Sequence, residues 1–264
     1  MGALSPLLVP LEGFASPGTQ SFEFPDLFPG VPFLDRYMLQ AFVSLLLIAG
    51  FWLIMSGKGA LVPSKGQFVG EAAYSFVRDT IGRDMIGPEF RRYLPLLVAV
   101  FSFVLLNNLW GVFPLTLLPT ASHVGWAYAL AGLVWVIYNG VGIAKHGVVG
   151  YLKHTVLPPG VPKSMWVLTI PLEFISNILV RPVTLSLRLF ANMLAGHLLV
   201  LVFVTGGEYL LLHSEPIVNK VAGVFSLIFS LAIFGLEIFV QILQAYIFTV
   251  LTAQYISSAI AEEH

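Results

Sequence analysis

Five long apolar runs dictate what this chain can become. Residues 38–56, 93–121 and 124–144 contain no Asp, Glu, Lys or Arg, and residues 164–205 and 218–261 are apolar but for a few ionisable groups. Crossing ~30 Å of hydrocarbon takes ~20 helical residues. A helix bonds all its backbone groups internally, as lipid requires. Only 10% of the chain is charged, against ~25% in an ordinary soluble domain. The expected fold is therefore all-α and membrane-embedded, with about five membrane helices and one amphipathic surface helix.

Several function classes drop out. A net charge of −1 offers no basic surface for nucleic acid. With no cysteine, disulfides, thiolate nucleophiles and Cys-ligated metals are excluded. No HExxH motif and no Gly-rich phosphate loop occurs, so neither a metal centre, a cofactor nor a nucleotide site is expected. The first 35 residues carry no Lys or Arg and are interrupted by Pro6, Pro10, Pro17 and Pro25. That pattern does not suit a cleaved secretory signal, so residues 1–37 read as a tail and 38–264 as one membrane domain.

Charge placement orients the spans. Lys58, Lys65, Arg78, Arg83, Arg91 and Arg92 lie between the first two runs, and Lys145, Lys153 and Lys163 follow the third. By the positive-inside rule both segments face the cytoplasm. The tail, with Glu12, Glu23, Asp26 and Asp35 against Arg36, belongs outside, and the C-terminus inside. Over residues 66–87, Val69, Ala73, Phe76, Val77 and Thr80 form one face against Glu71, Arg78, Asp79, Arg83 and Asp84, the pattern of a helix lying on the membrane surface.

The last two runs are too long. Each has ~40 residues, or ~60 Å as helix, about twice the hydrocarbon thickness. Each must break into two spans, for instance at Arg181-Pro182, or run strongly tilted. Gly206, Gly207, Ser214 and Pro216, with Glu208 and Glu215, make an outward turn between them, giving an antiparallel hairpin over about 166–205 and 217–261.

An ionisable side chain at membrane depth costs several kcal/mol unless it meets a partner or a polar cavity. Five qualify, Glu173, Arg181, Arg188, His197 and Glu237, joined by Asn107, Asn108, Asn177, Asn192, Gln241 and Gln244. At about 100° per residue, Asn177, Arg181, Thr184, Arg188, Asn192 and Ala195 share one face, and His197 lies ~180° from Arg188. A guanidinium stays protonated and so suits a fixed charge, not a carrier. Imidazole and carboxylate groups exchange protons with water, which makes His197 and Glu237 the natural relay pair. Plainer readings stand beside these. Arg181, next to Pro182, can snorkel to headgroups, His197 can be structural, and Asn192 and Gln244 can serve helix association.

The stretches RPVTLSLRLFANMLAG (181–196) and LQAYIFTVLT (243–252) resemble the signature helices of subunit a of the F-type ATP synthase family. Asn108-Leu109-Trp110-Gly111, with Pro114 and Pro119, and the closing Ala261-Glu262-Glu263-His264 resemble it too. The resemblance implies two tilted helices packed against a rotating c-subunit ring, peripheral-stalk b subunits, and the remainder of the F1Fo complex in a bacterial plasma membrane. It places Arg188 at the essential arginine, Asn192 beside it and Gln244 facing it. His197 and Glu237 fall on the outer half-channel relay, with Asn108 as polar lining. Many members carry the acid on the first of these helices and the histidine on the second, so here they are exchanged. Glu173, the possible inner half-channel acid, stands eight residues before Arg181 where many members have seven. Such a subunit is not an enzyme on its own and needs no cofactor.

Other classes fit less well. A secondary transporter favours repeated halves with broken helices, and the sequence shows no repeat. An intramembrane enzyme built on His197 and Glu237 would lack a metal-ligand set. A structural scaffold should tolerate loss of Arg188.

Overall fold

The computed structural model describes residues 17–18, 35–55, 64–113, 119–157 and 165–261. Most of the expected 1–37 tail lies outside the described residues, as do Lys58, Lys163, Pro114 and residues 262–264. Among the described residues there is no strand. The α-helices are α1 (Arg36–Met55), α2 (Lys65–Phe76), α3 (Asp84–Ile86), α4 (Phe90–Leu109), α5 (Val124–Val156), α6 (Trp166–Phe174), α7 (Arg181–Leu212) and α8 (Ile217–Ile260). Among the described residues, five helical stretches are long and apolar enough to cross a membrane.

The surface segment is less regular than a single amphipathic helix. α2 starts at Ser64, whose hydroxyl accepts from the Gln67 N–H at 3.3 Å, the usual way to satisfy a free N-terminal donor. It passes through a π-helical stretch, Val77–Arg83, into α3. Gly87 then takes φ 75°, a left-handed value that favours glycine, and Pro88 opens the turn into α4. The apolar face divides in two. Val77 and Ile81 are buried with Leu94 and Leu97 of α4, while Phe68, Val69 and Phe76 remain exposed.

α5 runs past its expected end at residue 144 but is bent at Gly147, φ 71°. The bend brings Tyr151 back over Gly142, where any Cβ would collide with its ring. The Tyr151 hydroxyl donates to Asn139 Oδ1 at 3.0 Å.

Of the two alternatives left open, the break at Arg181-Pro182 is absent: a π-helical turn, Ile175–Val180, joins α6 to α7. The cause lies in Pro182, which has no N–H to offer the Ile178 carbonyl and whose ring crowds it. The wider turn moves that carbonyl aside, with the Arg181 N–H bonding Ser176 O. Helix α5 supplies replacement donors, Trp135 Nε1 to Ile178 O and Tyr138 Oη to Asn177 O, both at 3.0 Å. α8 is continuous over 44 residues, ~66 Å at 1.5 Å per residue. Neither long run is two short spans.

The described residues fall into two compact units. Ala195–Ile238 forms the first, an antiparallel pair made from the end of α7 and the start of α8. Its helices approach closely at Gly207 and Gly223, where a Cβ on Gly223 would stand 2.9 Å from Gly207 O. Small residues at such crossings replace the hydrophobic drive that lipid removes. Ser226 Oγ donates across the pair to Phe203 O at 2.7 Å. The second unit, 36–194 with 239–261, packs Leu97, Val104, Leu185, Leu189, Met193, Phe248 and Ile256 into one core.

Candidate functional site

In the 195–238 unit, the structure brings His197 and Glu237 together. His197 Nδ1 lies 2.6 Å from Glu237 Oε1, and the two side chains are 8% and 4% exposed. They sit on opposite helices of the antiparallel pair, forty residues apart in sequence. Gly196 packs against this acid: a Cβ there would stand 3.5 Å from Glu237 Cγ, an ordinary packing distance. At the 2.6 Å separation a hydrogen bond joins the imidazole to the carboxyl group.

In the second unit, the i, i+4 spacing turns Leu185, Leu189 and Met193 inward. The same geometry leaves Thr184, Leu187, Arg188, Ala191 and Ala195 on exposed positions of α7. Arg188 makes no ion pair among the described residues. One turn on, Asn192 Nδ2 donates to Gln244 Oε1 of α8 at 2.9 Å. Gln244 is buried, and its Nε2 has no hydrogen-bond partner among the described residues. Asn108, also buried, donates through Nδ2 to the Gln241 carbonyl at 3.2 Å, and its Oδ1 has no partner among the described residues. Asn107 faces the other way, where Ser44 donates to its Oδ1 at 3.3 Å and Trp110 Nε1 donates to Ser44 at 2.7 Å.

A further polar cluster surrounds the π turn. Asn177 Nδ2 donates to Glu173 Oε2 and to Thr155 O, each at 2.9 Å. The Arg181 guanidinium lies 5.1 Å from the Tyr255 ring centre, a cation–π contact. It lines a small cavity of ~20 Å³ with Tyr151, Thr155, Asn177 and Ser258, room for about one water. Arg181 is thus held by Tyr255. Sequence reasoning missed Trp135, Tyr138, Tyr151 and Thr155. The available signal was Pro182, which orphans a carbonyl, together with two ring donors three residues apart on the preceding span.

Long apolar helices, the exposed guanidinium of Arg188 and buried amide and acid–imidazole pairs define a multi-pass helical membrane protein. The sequence profile of the family described as ATP synthase A chain matches residues 38–257. The chain is 46% identical to ATP synthase subunit a of Nocardioides sp. over 96% of its length and 95% of the relative's. It is 46% identical to that of Pseudarthrobacter chlorophenolicus over 95% of each chain. Against that of Streptomyces lividans it is 38% identical over 96% of its length and 90% of the relative's. This chain belongs to the ATP synthase A chain family.

Proposed function

We propose that this chain is the proton-conducting stator subunit of an F-type ATP synthase, with two half-channels and a fixed arginine that couple proton flow to rotation of a c-subunit ring. Arg188 carries the reading. A guanidinium exposed on an apolar membrane helix costs several kcal/mol and cannot shed its charge. No carboxylate of the described residues neutralises it, so the compensating anion comes from another chain. The small neighbours Ala191 and Ala195 let that chain approach closely. A ring carboxylate meeting Arg188 is drawn into its anionic form and releases its proton. The same charge bars a direct leak between half-channels.

His197, Glu237 and Asn108 are assigned to the outer half-channel. The 2.6 Å His197–Glu237 contact lets a proton taken up by one group pass to the other and on to the ring. Asn192 and Gln244 line the ring-facing path, and Glu173, held by Asn177, is assigned to the inner half-channel. The N-terminus faces outward, and the basic segments and the C-terminus face the cytoplasm. α8, apolar for most of ~66 Å, runs inclined with α7 along the ring, and peripheral-stalk b subunits hold the assembly against torque. Each proton brings ~2.3 kcal/mol per 100 mV of membrane potential, and ATP is made elsewhere in the complex.

The test is ATP-driven and potential-driven proton movement in vesicles carrying the assembled complex, with Arg188 or Arg188→Ala at equal assembly. Coupled pumping is expected to vanish in the variant. Unchanged pumping overturns the fixed-charge role and leaves a scaffold.

A further inference from the structure

Three guanidinium groups that play no part in the proposed proton path converge on one open cavity of ~340 Å³, lined by Tyr74, Arg78, Arg83, Phe90, Arg91 and Leu94. Arg78 and Arg83 come from the π-helical stretch and Arg91 from the first turn of α4. The left-handed turn at Gly87 and Pro88 folds the chain so that Arg83 and Arg91 reach the same space.

The charges there do not cancel. Asp79 is shared by Arg78 at 2.7 Å and Arg83 at 3.3 Å, and Arg91 forms no ion pair among the described residues. Three cations thus face one anion. The floor is apolar, formed by Phe90 and Leu94, with Arg83 stacked 5.7 Å from the Phe90 ring centre. On α2, the helix that supplies Tyr74 to the cavity, Phe68 is 63% and Val69 55% exposed. Such residues favour the acyl boundary over water, which sets the neighbouring arginines at headgroup depth.

We propose that this cavity binds an anionic phospholipid, its phosphodiester oxygens held by Arg83 and Arg91 and one acyl chain lying over Phe90 and Leu94. Guanidinium groups match phosphate oxygens in geometry as well as charge, and basic pockets between membrane helices on the cytoplasmic side suit acidic headgroups. A zwitterionic lipid brings its own cation into an already positive site. Free phosphate lacks the chain that would cover the apolar floor.

The test uses the intact complex in nanodiscs of equal phosphatidylglycerol and phosphatidylcholine, with retained lipid counted by native mass spectrometry. Phosphatidylglycerol is expected to be retained over phosphatidylcholine, and inorganic phosphate at matched ionic strength should not displace it. Arg91→Gln, which breaks no ion pair, lowers its affinity about tenfold, a change of the size of one charge-assisted contact. Arg83→Gln does likewise at equal assembly, and Lys220→Gln on α8 does not. Equal retention of both lipids, no effect of the arginine variants, or an equal effect of Lys220→Gln overturns the proposal. Displacement by inorganic phosphate makes the cavity a free-anion site. Cross-linking of Arg91→Cys to an acidic segment of another subunit, with no lipid retained, makes it a protein contact.

Discussion

Glu237→Gln separates the structural role of the buried acid from its capacity to carry a proton. Glutamine keeps the length of the side chain and an oxygen that can accept from His197. What is lost is charge assistance in a 2.6 Å bond between side chains 8% and 4% exposed. Charged hydrogen bonds contribute ~1.5–3 kcal/mol and neutral ones about 1, so stability should fall by roughly 1 kcal/mol and assembly persist. An amide neither takes up nor releases a proton near neutrality, and removing a positioned acid–base group typically costs 10²–10⁴-fold in transfer. Potential-driven proton uptake into vesicles, read by a pH-sensitive dye and normalised to assembled complex, should therefore drop about a hundredfold or more. His197→Ala should lose comparable flux and also ~3 kcal/mol of stability, because it breaks a buried pair. The double exchange His197→Glu with Glu237→His rebuilds the pair across the same helices and should recover a measurable part of the flux that either single change abolishes. Flux within threefold of the parent in Glu237→Gln, at equal assembly, would refute the relay.

Two structural predictions follow from close contacts. Gly223→Leu would push a side chain into Gly207 O and Leu211, which stand 2.9 Å from the position of a Cβ. Backbone on both sides leaves little room to yield, so the helix pair should lose ~1–3 kcal/mol, visible as a lower midpoint in detergent unfolding. An unchanged midpoint would mean the crossing is looser than described. Tyr138→Phe and Trp135→Phe each strip a 3.0 Å donor from a carbonyl at the π turn, costing ~1 kcal/mol apiece. Amide exchange should quicken across residues 175–181 and stay unaltered in the 195–238 unit. Exchange unaltered in both places would show that the turn does not need these donors.

The sequence by itself determined the class of this protein. Runs without charge exceed what a soluble core needs, and lipid leaves the backbone no choice but helix, so an all-α membrane fold followed from the apolar runs. Arg188, His197, Glu237 and the amides stand out in the sequence against apolar neighbours. Helical phase also separates Leu189, which is buried, from Arg188, which is exposed. Tertiary structure decided the rest. Whether Arg181-Pro182 ends a helix depends on donors from Trp135 and Tyr138, which lie more than forty residues away in sequence. That His197 meets Glu237 and Asn192 meets Gln244 is a matter of helix crossing and register, set by contacts such as Gly207 against Gly223. The arginine cavity arises only when the chain turns at Gly87. Local patterns report the preferences of one segment in its solvent, whereas pairings between segments exist only after packing has chosen one register among several that the same patterns allow.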